Sequence, residues 1–239
     1  GVTLSSDGTD LLLDGTAIGG GGGGAALELY AENPSSPTAP SATGTNAVAI
    51  GSGAVASGTD AVSMGRTATA VGADSVSLGR SRAGGADSFA AVVNSTSTSY
   101  GATNINAIAI GKTSRATSTS SIGIGFLARA SGGSSISIGN GSYASGYASI
   151  VLGDSNASGS NAIAIGEDCT AGTFYSVALG FDARSTVRGK LAHASGRFSA
   201  NGDAQSGAFV LRSDTTDATP EALTTINNAG GLADSQVIL

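Results

Sequence analysis

A short alternation of large and small residues recurs along the middle of the chain. Segments 46–51, 60–65 and 74–79 read NAVAIG, DAVSMG and DSVSLG, with a large residue at every second position. A period of two predicts a β-strand rather than a helix. Most of the closing glycines are 13 or 14 residues apart, with one interval of 32: Gly51, Gly65, Gly79, Gly111, Gly125, Gly139, Gly153, Gly166 and Gly180. Recurrence at a fixed spacing predicts a repeat architecture.

Each repeat predicts two strands and two turns. The first alternation ends at Gly51, because glycine adopts the backbone angles that tight turns need, and a second alternation ends at Gly58. One unit is therefore one coil of an all-β solenoid. The 32-residue interval corresponds to one ordinary coil and one longer coil, with Ser88-Phe-Ala-Ala as a degenerate strand. We expect residues 82–104 to bulge from the rod and to present Phe89 and Tyr100.

The alternation separates large aliphatic residues from small ones on opposite faces of each strand. We expect the large residues to form the core or an interface between chains. The second strand of each coil offers mostly alanine, so the coils are thinly filled and need further burial. Association between chains would supply it, with the small residues allowing close approach. The predicted core or interface residues are Val48, Ile50, Val62, Val76, Leu78, Ile108, Ile110, Ile122, Ile124, Ile136, Ile138, Ile150, Leu152, Ile163, Ile165, Val177 and Leu179.

The chain divides into four segments. Residues 1–18 predict a β-hairpin that serves as an attachment segment, because two apolar runs flank the turn Ser6-Asp-Gly8. Residues 19–43 hold six consecutive glycines and three prolines and predict a linker. Residues 44–187 carry the repeats. Residues 188–239 predict degenerate coils and the start of a further β module, which we expect to continue beyond Leu239.

Composition narrows the range of functions. The chain has 11 basic and 17 acidic residues, a net charge of −6, which disfavours binding to nucleic acid. No run approaches 18 apolar residues, so we predict no membrane insertion. A single cysteine and a single histidine cannot build a disulfide framework or a Cys/His zinc site, and we predict no metal and no cofactor.

The sequence predicts no catalytic residues. His193 has no serine and aspartate partners at a recognisable spacing, and we expect it to pack in a late coil. Cys169 follows Glu167 and Asp168, whose negative charges disfavour a reactive thiolate. We therefore expect Cys169 to be a small, half-buried residue.

Stacked coils should align the residues that follow the closing glycines in a column. This column begins with Arg66, Arg80 and Lys112 and turns acidic at Asp154 and Glu167. Arg82, Arg115 and Arg129 should reinforce the basic part. The candidates for binding an anion or a glycan are Arg66, Arg80, Arg82, Tyr100, Lys112 and Arg115. The alternative is that these charges form cross-chain salt bridges and are otherwise solvated.

Tyrosines are further candidates for contact with sugars, because the ring is apolar and its tip is polar. Tyr100, Tyr143, Tyr147 and Tyr175 belong to this group. The alternative interpretation is packing within turns or wedging between chains.

The recurrence of units such as Asn46-Ala-Val-Ala-Ile-Gly51 over residues 44–200 resembles the head repeats of trimeric autotransporter adhesins of the YadA type. The resemblance implies a left-handed parallel β-roll, three chains packed side by side, binding to host surfaces and no catalytic residues. The aliphatic pairs, such as Val48 with Ile50 and Ile108 with Ile110, match core and interface positions in that family.

The flanks resemble segments of bacteriophage fibres and other virion-surface proteins, in residues 1–15 and 188–212. This implies a homotrimeric fibre, in the tail or the capsid, whose partners are other virion proteins and a host surface polysaccharide or protein. One alternative is the head segment of a bacterial autotransporter adhesin on the cell surface. A less favoured one is a polysaccharide-depolymerising tailspike, which would need a carboxylate pair.

Overall fold

The computed structural model describes residues 4–6, 11–13, 16–17 and 38–209, and these contain strands and turns but no helix. Three strands, β1 (Leu4–Ser6), β2 (Leu11–Leu13) and β3 (Thr16–Ala17), form an antiparallel sheet. They lie in the segment for which the sequence predicts a hairpin. Since the described residues include no helix, none is long and apolar enough to cross a membrane.

The remaining strands form a second sheet of 21 strands. In chain order they are β4 (Ser41–Ala42), β5 (Val48–Ile50), β6 (Val55–Ala56), β7 (Val62–Met64), β8 (Thr69–Ala70), β9 (Val76–Leu78), β10 (Arg82–Ala83), β11 (Phe89–Ala91), β12 (Gly101–Ala102), β13 (Ile108–Ile110), β14 (Arg115–Ala116), β15 (Ile122–Ile124), β16 (Arg129–Ala130), β17 (Ile136–Ile138), β18 (Tyr143–Ala144), β19 (Ile150–Ala157), β20 (Ile163–Ala171), β21 (Val177–Phe181), β22 (Arg184–Ser185), β23 (Leu191–Ser195) and β24 (Gln205–Ala208).

These strands stack as a parallel β-solenoid, which confirms the predicted fold class. Each coil has a longer strand and a shorter strand, and each strand pairs with its equivalent in the next coil. Val48 pairs with Val62, for example, and Val55 pairs with Thr69. The stack begins with Ser41–Ala42, which pairs with β6, so it includes residues that the sequence assigns to the linker.

The segment 82–104 does not bulge from the rod as a whole, and that prediction is wrong. Arg82–Ala83 and Gly101–Ala102 are regular short strands, and Phe89 pairs with both Val76 and Ile108, as expected for a degenerate strand. Phe89 and Ile108 are 19 residues apart, whereas most equivalent residues are 14 apart. The extra residues fall in the turn between β11 and β12.

The large aliphatic residues do not form the core of the chain, which corrects half of the prediction made for them. The small residues between them are buried and fill the space between the two strands of each coil, as Ala49, Ala54 and Ala56 do. Because the strands lie close together, most inward positions hold alanine or serine, and the largest buried aliphatic residues are Val93 and Val151. The aliphatic residues therefore point outward, half-buried or exposed: Val48, Ile50, Val62, Val76, Leu78, Ile108, Ile110, Ile122, Ile124, Ile136, Ile138, Ile150, Leu152, Ile163, Ile165, Val177 and Leu179. Their role in an interface stays a prediction.

We call this outward surface of the longer strands the aliphatic face. It also includes Met64, Phe89 and Leu191, and His193 continues its second column after Leu179. His193 is exposed rather than packed within a coil. Small residues point away from this face, so the expectation that alanine and serine would contact another chain is wrong.

The last coil is closed by a reversal of strand direction. β24 pairs antiparallel with β23, whereas the long strands before it pair in parallel. The Arg197 Nη1 atom lies 3.0 Å from the Oδ1 atom of Asp182, whose side chain is fully buried. The Gln205 side chain accepts a hydrogen bond from the Arg184 N–H and donates one to the Arg184 carbonyl. These contacts cover the end of the stack.

Candidate binding site

The shorter strands present a second outward surface, on the side of the coil away from the aliphatic face. In each shorter strand after Ser41–Ala42, the alanine or serine at the second position is buried, and the residue before it points outward. We call this surface the arginine face. Its central column, in order along the rod, is Val55, Thr69, Arg82, Gly101, Arg115, Arg129, Tyr143, Asn156, Thr170 and Arg184.

Two arginines and two tyrosines meet in the middle of this column. Arg115 pairs in register with Arg129, and Arg129 pairs in register with Tyr143. The Arg115 guanidinium carbon lies 4.2 Å from the centre of the Tyr100 ring, and that of Arg129 lies 4.5 Å from the centre of the Tyr143 ring. We call Tyr100, Arg115, Arg129 and Tyr143 the arginine–tyrosine ladder.

Among residues 38–209, no carboxylate pairs with the two charges of the ladder. Within residues 38–209 the one ion pair is that of Arg197 with Asp182, at the far end of the rod. Equivalent residues on neighbouring parallel strands are about 4.8 Å apart, a spacing at which like charges repel. The cation–π contacts with the two rings compensate in part, at about 0.5–1 kcal/mol each on an exposed surface.

Tyr143 responds to the charge beside it. A hydrogen bond from the Ser131 side chain lowers the pKa of the Tyr143 hydroxyl below its usual value, and the charge of Arg129 and a hydrogen bond from Ser145 act in the same direction. Burial opposes this change without cancelling it.

The predicted binding residues fall into two separate groups. Arg82, Tyr100 and Arg115 lie on the arginine face, where the register places Arg82 next to Gly101 along the column. The prediction that Arg82, Arg115 and Arg129 reinforce the basic part of the turn column is therefore wrong, because these residues lie on the shorter strands and not in the turn that follows the longer strand. That turn carries the exposed side chains of Arg66, Arg80 and Lys112.

Of these turn residues, Lys112 contacts an aromatic ring. Its Nζ atom lies 5.8 Å from the centre of the Phe126 ring. Farther along the same turn column, Asp154 pairs in register with Glu167, so two carboxylates face solvent on neighbouring coils. This pairing confirms the order predicted for the acidic part of the turn column, in which Glu167 follows Asp154 and Phe181 follows Glu167.

The opposite turn carries a group of exposed aromatic residues. Tyr147, Phe174 and Tyr175 are 62%, 56% and 53% exposed. The Arg188 guanidinium carbon lies 5.5 Å from the centre of the Tyr175 ring. The two tyrosines are predicted from the sequence, but Phe174 and Arg188 are not, because they align with the tyrosines only once the coils are stacked.

Cys169 is fully buried rather than half-buried, in the inward turn position that Ala54 occupies in the first coil. Burial raises the pKa of its thiol, and the charges of Asp182 and Asp168 add to the increase. Within the described residues no three side chains of histidine, cysteine, aspartate or glutamate are grouped so that they could hold a metal ion.

Comparison with protein families gives one finding. A family model described as "YadA head domain repeat (2 copies)" matches the chain at residues 42–66, 56–81, 102–128, 130–156, 153–168 and 157–183. Together these ranges cover just over half of the 239 residues. A search of curated proteins finds no match.

Proposed function

The chain belongs to the YadA head domain repeat family, and from this membership we propose that it forms a homotrimeric rod in a phage fibre and attaches it to glycans on a host surface. Family membership by itself gives an adhesin-like, surface-exposed role on a fold that is typically structural rather than catalytic. The assembly into a trimer, the location on a phage particle and the binding of glycans are the parts of the proposal that go beyond family membership.

The aliphatic face is the observation that carries the proposal. Eleven longer strands contribute to it, and its side chains align in two continuous columns from Val48 to Leu191 and from Ile50 to Leu179. A soluble monomer rarely exposes so extended an apolar surface, which is typical of an interaction site. Since the face continues along the stacked coils, copies of the chain can pack side by side on it and form a closed ring.

The oligomeric state tests this part of the proposal. We expect light scattering of the purified chain to give three times the chain mass. Ile124→Lys places a charge in the aliphatic face and should prevent assembly, whereas Thr69→Lys places the same charge on the opposite face and should leave the trimer intact. A wild-type chain that is a folded monomer would contradict the proposal.

The virion is supported by the flanks, whose sequences resemble phage fibre segments. A bacterial cell surface is the second candidate, because the matching family model is named after an adhesin head. Antibodies raised against residues 38–209 separate the two. We expect gold-labelled antibodies to decorate fibres of phage particles in electron micrographs, and labelling confined to bacterial cells would assign the chain to an adhesin.

The register of Asp154 with Glu167 makes the depolymerase alternative testable. Two neighbouring carboxylates are the minimum for glycoside hydrolysis. We propose that the chain is not an enzyme and expect no release of reducing ends when the rod is incubated with surface polysaccharide. Release that disappears in the variant Asp154→Asn, Glu167→Gln, Asp168→Asn would overturn this view.

A further inference from the structure

We propose that Arg115 and Arg129 form a binding site for the carboxylate or sulfate group of an acidic glycan. The inference rests on the proposed attachment to surface glycans and names the chemical class that this part of the rod would select. The juxtaposition that carries it is two guanidinium groups in register on neighbouring coils, each stacked on a tyrosine ring.

The spacing of the two groups suits one anion. Equivalent side chains on adjacent parallel strands are about 4.8 Å apart, so each guanidinium can donate to a different oxygen of the same carboxylate or sulfate. Charge-assisted hydrogen bonds of this kind are shorter and stronger than neutral ones, and arginine forms them with a planar fork of donors.

The tyrosine rings hold these donors in place. A guanidinium that lies over a ring contacts it through its flat face, while its N–H groups lie in the plane and stay available to a ligand. Side chains that are ordered before the ligand arrives lose less entropy when they bind it.

The site also lacks an internal partner. No carboxylate among residues 38–209 pairs with Arg115 or Arg129. The charges repel each other at this spacing, and an anion that bridges them would remove that repulsion. Thr117 and Ser131, which follow the arginines on the same outward side, add hydroxyl groups for the neighbouring sugar hydroxyls.

The position of the ladder keeps it accessible in the proposed trimer. The arginine face lies on the side of the coil away from the aliphatic face, with the small core residues between them. When the aliphatic faces of three chains pack together, the ladder therefore lies on the outer surface of the rod.

The test uses the full chain and three defined probes: a sulfated heparin hexasaccharide, hexagalacturonate and the neutral maltohexaose. The variant Arg115→Ala, Arg129→Ala removes the ladder charges. The matched control Arg66→Ala, Arg80→Ala removes two charges from the turn and leaves the ladder intact. Calorimetry should show binding of at least one acidic probe, weakening with added salt, and a loss of about tenfold or more only in the ladder variant.

Three outcomes would overturn the inference: equal losses in the two variants, which indicate diffuse charge attraction; equal binding of the neutral probe; or no binding of either acidic probe by the wild-type chain. Light scattering and thermal unfolding of each variant identify any loss that comes from disassembly. Failure of the proposed function gives a different result, because the wild-type chain would then be a monomer or would not attach to host cells at all.

Discussion

At the scale of single residues, the backbone conformation of one turn explains why many repeats begin with asparagine or aspartate. Asn46, Asp60 and Asp74 have φ angles of 55°, 54° and 54°, and the equivalent residues of later coils share this left-handed conformation. Asparagine and aspartate tolerate it better than other side chains do. The sequence shows the recurrence of these residues, and the backbone angle gives the reason. Ala148 has a φ of 51° at the same position without that tolerance.

Ala148→Gly should therefore stabilise the chain. Glycine removes the steric cost of the left-handed conformation, and we expect a gain of about 1 kcal/mol in the free energy of unfolding, measured by denaturant titration. The control is Ala109→Gly, in which the replaced alanine fills the core and is not in the left-handed region. It should destabilise the chain, and stabilisation by both substitutions would contradict the explanation.

Apart from Gly79, the closing glycines are required by the stacking of coils as well as by their turns. Gly65 has a φ of 119°, and a Cβ atom on it would lie 2.8 Å from the Cα atom of Gly79 in the next coil. Gly189, at 69°, has nothing within 4 Å of the same position. Gly65→Ala combines strain with a backbone clash, whereas Gly189→Ala has strain alone.

We therefore expect Gly65→Ala to lower the unfolding temperature clearly more than Gly189→Ala does, with about 1–2 kcal/mol lost at Gly189. Calorimetric melting of both variants against the wild-type chain measures the difference. Equal losses would mean that the approach of the coils is not what requires Gly65.

At the scale of the strand, the sequence predicts the period but not the phase. The alternation of large and small residues identifies the strands, including the degenerate strand at Phe89. It cannot show which side faces inward, because burial of large residues is the ordinary rule and this core admits only small ones. Gly123 illustrates the lack of space: a Cβ atom on it would overlap the carbonyl oxygen of Arg115.

Ala109→Leu tests the phase directly. Ala109 is fully buried between the two strands of its coil, so a larger side chain should cost about 1–3 kcal/mol or more through overpacking. Ile110→Leu, on the outward side of the same strand, keeps the volume of the side chain and should lower the stability much less. A larger loss of stability at Ile110 than at Ala109 would indicate that the large residues face inward, as the ordinary rule of burial suggests.

Part of the arginine–tyrosine ladder can be predicted from the sequence. Arg115, Arg129 and Tyr143 are 14 residues apart, the spacing of the repeat, which places them in one column. Tyr100 could not be assigned in this way because the longer turn before it breaks the spacing. The predicted column combined residues of the turn with residues of the arginine face, because the sequence does not separate the two outward surfaces of a coil.

The segment that covers the last coil responds to pH through Asp203. The Asp203 carboxylate accepts hydrogen bonds from the backbone N–H groups of Phe198, Ser199 and Ala200, and these bonds lower its pKa, that of Ala200 most of all. Because the pKa of Asp203 is lower in the folded chain than in the unfolded chain, the ionised carboxylate stabilises this segment at pH values above the pKa of the unfolded chain. That stabilisation is lost as the pH falls through the pKa of Asp203 in the folded chain.

We expect hydrogen exchange at residues 198–200 to accelerate as the pH falls below about 4, relative to the intrinsic rate at each pH. Asp203→Asn should show the faster relative exchange already at neutral pH and little further change on acidification. Unchanged protection at low pH in the wild-type chain would rule out this role for Asp203.

At the scale of the whole molecule, the rod is a series of units that can be removed one at a time. Ser75 precedes β9 as Ala61 precedes β7, and Val48, Val62 and Val76 follow one another in register. Stability in such a stack comes from contacts between neighbours. The number of coils therefore sets the length of the rod without altering the structure of any coil.

Deletion of residues 62–75 should give a folded trimer that is shorter by about 4.8 Å. Deletion of residues 62–68 removes only half a coil and should disrupt folding, because longer strands would then meet shorter ones. Small-angle scattering gives the length and circular dichroism the fold. Equal tolerance of the two deletions would argue against a stack built from whole coils.

The direction of the backbone hydrogen bonds has a mechanical consequence. The Val48 N–H donates to the Ala61 carbonyl, the Val55 N–H to Ala68 and the Ser57 N–H to Ala70, so the bonds between coils lie parallel to the long axis. A pull that acts evenly on a whole end coil is shared by the bonds at each coil boundary, because these bonds all lie along the direction of the force. A tether made in this way withstands tension through the number of bonds that share the force, although its interior is filled by some of the smallest side chains.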